Sequence, residues 1–197
     1  MRTRLLIVQH AEKAALPGDP GLSEAGMAQA DWVAATLTSV PVAAVYSSPL
    51  RRARQTAEPI GRRLGLAVAV DGRLAERMNW DGRDKSLQEF LADWDRASRQ
   101  RDFTPPGGQS SRAAGERLGN ALVEFAARHP GETVVVVSHG GVTADLARNI
   151  LGDHEVSMMA PGVIEGGIPN CAITEIVAEP AALQVRSLAA PTWDPTS

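Results

Sequence analysis

The sequence predicts a three-layer α/β/α sandwich with a mostly parallel central sheet. Three observations predict it. Strand-like and helix-like segments alternate along the chain, the pattern of a sheet covered by helices on both faces. Two runs, "LLIV" at 5–8 and "VVVV" at 134–137, are apolar without alternation, as strands buried on both faces are. No repeat or linker interrupts the 197 residues, so residues 1–197 are expected to form one domain with a sizeable core.

Each element has its own signal. "TRLLIV" (3–8) reads as the first strand. In "LSEAGMAQADWVAATLTSV" (22–40), Leu22, Gly26, Ala30, Val33 and Leu37 recur at helical spacing, with Ser23 placed to cap. "AAVYSS" (43–48) is a short strand. "SPLRRARQTAEPIGRRLG" (48–65) follows as a helix that Ser48 and Pro49 start and Gly65 stops. "LAVAV" (66–70) is the third strand. The pattern then loosens from Glu76 to Gly108, where "SLQEFLADWDRASRQR" (86–101) reads as helix and "DFTPPGGQS" (102–110) as loop. A helix over "SRAAGERLGNALVEFAARH" (111–129) leads into the strand "ETVVVVS" (132–138), and "GVTADLARNILG" (141–152) is helical again. "CAITEIVAE" (171–179) and "LQVRSLA" (183–189) close the sheet, and the tail over 190–197 is expected to fray.

Composition narrows the function. The chain is 44% hydrophobic and 22% charged, the balance of a soluble globular protein. Its formal net charge of −3 predicts neither nucleic acid nor an anionic membrane as partner. A small anionic substrate therefore has to be held by locally clustered cations. A single cysteine, Cys171, excludes an intramolecular disulfide and fits a reducing cytoplasm. It reads as a small apolar packing residue rather than a nucleophile. The opening "MRTRLLIVQHAEK" sets arginines before apolar residues, but the apolar stretch is too short for a signal peptide, and no run has the length of a membrane span. The oligomeric state stays open, a homodimer among the alternatives.

Three strands end in polar residues of related chemistry. The first ends at Gln9-His10, the second runs into "SSPLRRARQTA", and the fourth ends at His139, followed by Gly140 and Gly141 opening a helix. Ligands of open α/β sheets bind just beyond the carboxyl ends of strands. Helix N-termini there carry free N–H groups and partial positive charge suited to phosphate. Two histidines, arginines and two helix starts at one sheet edge describe an anion pocket with a built-in nucleophile.

Five stretches in order, "VQHAEK" aside, carry a resemblance: "LSEAGMAQA", "SSPLRRARQTA", "LAE" before Trp-Asp-Gly, "PPGGQS" and "VVVVSHGG". Together they resemble the histidine phosphatase (phosphoglycerate mutase-like) superfamily over nearly the whole chain. The resemblance implies that fold, a metal-independent phosphoric monoester hydrolase without cofactor, and a phosphohistidine intermediate. It implies His10 as nucleophile, Arg52 as the phosphate-clamping arginine, His139 as the second pocket histidine and Glu76 as proton donor; Asp81, nearby in the sequence, is the next candidate for the acid. Gly140 is expected to offer its N–H to phosphate. The segment 77–108 matches the place where such enzymes insert residues that cover the substrate. Trp80 is the candidate there for touching the leaving group, whereas Phe90 and Trp94 read as helix residues packed on the core. At the first motif the family has Arg-His-Gly, and this chain has Gln9-His10-Ala11. Gln9 removes a cation, although its amide still donates a hydrogen bond, and Lys13 is placed to return one.

The chemistry accounts for these residue types. An imidazole with one nitrogen held by a carbonyl directs the other at phosphorus. Phosphoryl transfer is mostly positioning and charge stabilisation, for which an arginine fork holds two oxygens. A glutamic acid protonates the leaving oxygen and then accepts a proton from water. A metal site from His10, His139 and Glu76 is not expected, because Arg52 in the same pocket opposes a cation. Arg51, Arg54, Arg62 and Arg63 read as a solvated helix face, and His129 and His154 are assigned no role. Three functions remain in play. The first is hydrolysis of a small phosphorylated metabolite. The second is a weak or inactive phospho-ligand-binding or regulatory protein, favoured by Gln9. The third is a phosphoglycerate mutase, for which the chain has too little insertion.

Overall fold

The two apolar runs become neighbouring central strands. In the computed structural model, which describes residues 1–179 and 182–192, β1 (Thr3–Gln9) pairs in parallel with β4 (Thr133–Ser138). β2 (Val42–Ser47) lies on the other side of β4, followed by the short β3 (Val68–Val70), both parallel. β5 (Ile173–Glu179) and β6 (Ala182–Ala190) extend the opposite edge antiparallel. The six-stranded order is β3-β2-β4-β1-β5-β6, so the expected mostly parallel sheet carries an antiparallel edge.

Because successive strand residues point to opposite faces, β1 and β4 feed two cores. Leu5, Ile7, Val134 and Val136 pack beneath α4 (Ser111–Arg128) and α5 (Gly140–Leu151), with Leu118, Leu122 and Phe125 from α4. Leu6, Val8, Val135 and Val137 pack beneath α1 (Glu24–Thr36) and α2 (Arg51–Leu64), with Val33 and Ile60. Each such fully buried side chain stabilises the fold by roughly 1.5–3 kcal/mol. Sealing both faces leaves the carboxyl-end edge of the sheet as the place for polar chemistry.

Local signals behaved as read at several ends. The Ser23 hydroxyl accepts from Gly26 N–H and caps α1. Gly65 takes a left-handed φ of 68°, which lets the chain leave α2 without a Cβ penalty. Other ends differ. Ser48 does not cap α2: Leu50 holds the cap position without a side-chain bond, and Asp19 from a distant loop accepts from Arg51 N–H at 3.0 Å. Two short helices, α6 (Asp153–Met159) and α7 (Val163–Gly166), fill a stretch that carried no clear pattern. α3 (Leu87–Arg99) is bounded by the Ser86–Glu89 capping box. At the tail, Ala190 still belongs to β6, and Thr192 bonds both Cys171 O and the Trp32 indole N–H, so fraying does not begin at 190. The remainder of the tail, 193–197, lies outside the described residues.

Candidate active site

β1, β4 and β2 end side by side, and their carboxyl ends bring the two histidines together. Gln9 pairs with Ser138 in the ladder, so His10 and His139 follow in step, with ring centroids 5.2 Å apart, edge to face. The turn after His10 is fixed from α2: Thr56 Oγ1 accepts from Ala11 N–H at 3.0 Å and donates to Arg52 O. His10 Nδ1 faces Ala11 O at 2.7 Å. Facing a carbonyl, that nitrogen must carry the proton, which leaves the lone pair on Nε2. Burial, helped by Arg52 and Lys13 and opposed by the bond to Ala11 O, holds the His10 pKa down to about 4, so the ring is neutral near pH 7.

Arg52 stands directly against that lone pair. Its Nε–H donates to His10 Nε2 at 3.2 Å, and Nη1 donates to Asn79 Oδ1 at 3.2 Å, with Asp19 at 3.8 Å. Arg51, Arg54, Arg62 and Arg63 are exposed on the outer face of the same helix, as read from the sequence. His139 is fully buried at the N-cap of α5, with Nε2 2.7 Å from Ser48 Oγ and Nδ1 without a partner among the described residues. Burial, then His10 and Arg52, hold its pKa well below 6.5, so it too is neutral at rest.

Glu76 reaches the start of α5. Its carboxylate accepts from Arg77 N–H at 2.8 Å, Gly141 N–H at 2.9 Å and Val142 N–H at 2.8 Å. Burial raises its pKa despite these donors. The contact explains Gly141: a Cβ there would lie 2.7 Å from Glu76 Oε1 and 2.5 Å from the Trp94 ring. The N-termini of α2 and α5 are partly taken: Asp19 accepts from Arg51 N–H at the first, and Glu76 accepts from Gly141 and Val142 N–H at the second. A tethered carboxylate is the nearest anion to a positive helix end and takes it.

A cavity of ≈ 340 Å³ opens above His10, Arg52 and Glu76, and Lys13 and Trp80 line it as well. Lys13 is held by a backbone bridge to Leu22, and its pKa is lowered by burial and then by Arg52. The Trp80 indole N–H donates to Lys85 O. Phe90 and Trp94 also line the cavity and are only half-buried, which corrects their reading as core residues. The reason is that α3 lies over the cleft and not on the sheet, burying Ala97 alone. Gln9 and Gly140 are not among the lining residues. Gln9 leaves β1 on the face opposite His10, with its unpartnered Oε1 3.5 Å from where a Gly140 Cβ would stand.

Sequence reasoning missed a second set of residues. Arg77, next to Glu76, donates twice to Asp145 at 3.0 Å, packs 3.8 Å over the Trp94 ring and bonds Ser98. Asp145 also accepts from Ser111, and Arg148 bonds Asp153 and Ser98 O. These buried charges tie the Glu76 segment, α3 and α5 together. Asp19, Ser48, Thr56 and Asn79 were also missed as site residues. Ser48 and Thr56 stand inside the "SSPLRRARQTA" stretch and were within reach, whereas Asp19 and Asn79 sit in loops without a spacing signal. Among the described residues, no group of three or more His, Cys, Asp or Glu is placed to hold a metal ion.

The family model of the histidine phosphatase superfamily, branch 1, matches residues 6–191. The chain belongs to the histidine phosphatase superfamily. A bifunctional protein of Mycobacterium tuberculosis is 35% identical over 156 residues, covering 70% of this chain and 41% of that protein. The chain thus spans less than half the length of such curated relatives. Phosphoserine phosphatase 1 of Hydrogenobacter thermophilus is 33% identical over 150 residues, with 69% of this chain and 70% of that protein covered. Among solved structures, the native mycobacterial glucosyl-3-phosphoglycerate phosphatase superposes with a TM-score of 0.77 at 26% identity, covering 97% of this chain and 100% of that one. The histidine phosphatase fold, a mixed sheet flanked by helices, is common to both chains. No helix among the described residues is long and apolar enough to cross a membrane.

Proposed function

We propose that this chain hydrolyses phosphomonoesters of small metabolites through a phosphohistidine formed on His10. The observation that carries this is the His10 ring: Nδ1–H donates to Ala11 O, and neutral Nε2 faces the cavity beside the Arg52 guanidinium. The phosphatase names of its relatives support it. An entering phosphate draws Arg52 off Nε2 and frees the lone pair. Nε2 then bonds to phosphorus as the ester P–O bond breaks, and Glu76 gives its proton to the departing oxygen. Water next attacks phosphorus, Glu76 takes back a proton, the P–N bond breaks and inorganic phosphate leaves. Arg52 and Lys13 meet the phosphoryl charge, and the incoming dianion favours a protonated His139.

In this reading Trp80 borders the leaving group and the 77–108 segment covers the substrate. Gln9 and Gly140 do not line the cavity, so in this reading their expected contacts with the phosphoryl group, a neutral amide in place of a guanidinium and a backbone N–H, require the substrate to reach past His10. No metal or cofactor takes part in these steps. A reducing cytoplasm is the proposed compartment, which suits a lone buried thiol whose pKa burial pushes up to about 12.

Rapid quenching of turnover with a phosphorus-labelled ester tests the proposal. The expected result is an acid-labile, alkali-stable label on the chain that is absent from His10→Ala. Turnover by His10→Ala at the parent rate overturns the mechanism. Tight binding of the ester with neither label nor phosphate release would instead establish the non-enzymatic reading that Gln9 favours.

A further inference from the structure

We infer that the leaving group accepted by this site is apolar, so that the substrates are alkyl or aryl phosphomonoesters rather than esters of amino acids or carboxylated sugars. The inference rests on the phosphatase reading above and specifies its substrate class.

The cavity has two ends of opposite character. At the floor stand His10, Arg52 and Glu76, and Lys13 belongs with them, since its charge bears on both His10 and Arg52. The wall beyond is Leu16, Met78, Leu87, Phe90, Leu91 and Trp94. The polar side chains on that wall are already committed. Asn79 accepts from Arg52 and donates to Gly18 O, and the Trp80 indole donates to Lys85 O. Among the described residues Glu76 is the only carboxylate lining this cavity. Asp81 and Asp84 line instead the adjoining one, which shares Met78, Asn79, Trp80 and Phe90. The cation near the phosphate repels an ammonium group.

Exposure points the same way. Leu16, Leu87 and Leu91 are 62%, 48% and 53% exposed, three of only ten large hydrophobic side chains so exposed among the described residues, and all three ring this one opening. Clustered exposed apolar side chains at the mouth of a concave site mark a ligand surface. A leaving group seated there removes apolar area from water, worth up to about fourfold in affinity for each fully buried methylene. A polar leaving group gains nothing from the wall and gives up its hydration.

The test uses ethyl, butyl and hexyl phosphate, whose leaving alcohols share nearly one acidity, together with phosphoserine. The expected kcat/KM rises roughly two- to fourfold per methylene, and hexyl phosphate exceeds phosphoserine at least tenfold. Leu91→Glu, an exposed position on α3, is expected to cut the value for hexyl phosphate about tenfold while changing that for ethyl phosphate much less. Turnover that is flat along the series, or best with phosphoserine, overturns the inference and leaves the phosphatase reading standing. Should no ester turn over, the phosphatase reading fails, and calorimetry with the inert hexyl- and ethylphosphonates then decides the subsite. Tighter binding of the hexyl compound upholds it, and equal binding overturns it.

Discussion

Glu76, the proposed proton donor, is held by contacts that favour its carboxylate and by burial that favours its acid form. Three N–H donors favour its carboxylate, yet burial outweighs them and raises the pKa above the usual 4.5. A larger acid fraction therefore persists as pH rises, and donation is lost as pH climbs through the raised value. Glu76→Gln keeps the shape and removes the proton. An alkyl phosphate is expected to slow about a hundredfold or more, whereas an activated aryl phosphate, which needs little protonation, slows tenfold or less. The alkaline limb that Glu76 imposes on the alkyl ester should vanish from the pH profile of the variant. Equal losses on both esters, with the limb retained, would move the role to another acid. Stopped assays on the two esters across the pH range read both outcomes.

At the scale of elements, α4 and α5 lie closer than side chains permit. A Cβ on Gly115 would stand 2.7 Å from Asp145 O and 2.5 Å from Asn149 Nδ2. Helix propensity favours alanine over glycine by about 1 kcal/mol, but a clash with backbone has no rotamer escape and overpacking costs about 1–3 kcal/mol. The clash wins. Gly115→Ala is expected to lower stability by up to about 2 kcal/mol, which the urea midpoint measures. Gly119 in the same helix is the control: its nearest neighbour is the movable Leu146 Cδ1 at 3.2 Å, so Gly119→Ala should be neutral or stabilising. Because Asp145 also anchors Arg77, the Gly115 variant should lose activity as well as stability.

For the molecule as a whole, stability is unevenly distributed. β1 and β4 are covered on both faces, whereas α3 buries Ala97 alone and is fastened by the Arg77, Asp145 and Arg148 network. Segments with few buried apolar contacts open first. Hydrogen exchange should therefore proceed sooner in peptides spanning 87–99 than in those spanning 133–138, and hexylphosphonate should slow the former selectively. Exchange at equal rates would mean that α3 unfolds only with the core. Legibility in the sequence follows the same division. The doubly covered strands announced themselves as unbroken apolar runs, and His10 and His139 were legible because each is covalently next to such a run. Phe90 and Trp94 were misread because periodicity reports that a face is apolar, not whether a sheet or a ligand cavity covers it.

The sequence by itself determined the alternation of elements, the three strand ends and the order of motifs, since these depend on neighbours a few residues apart. It also determined that a glutamine, Gln9, and not a cation, precedes His10. Only the tertiary structure decided what meets the helix ends. Asp19 lies 32 residues before Arg51, and Glu76 lies 65 before Gly141. No spacing rule predicts such pairs, because a helix end takes whichever anion the packing of the whole chain brings within hydrogen-bond reach. The apolar wall was decided in the same way. Leu16 from the first loop and Leu87 and Leu91 from α3 are scattered in sequence, and they become one surface only when α3 is fastened across the cleft.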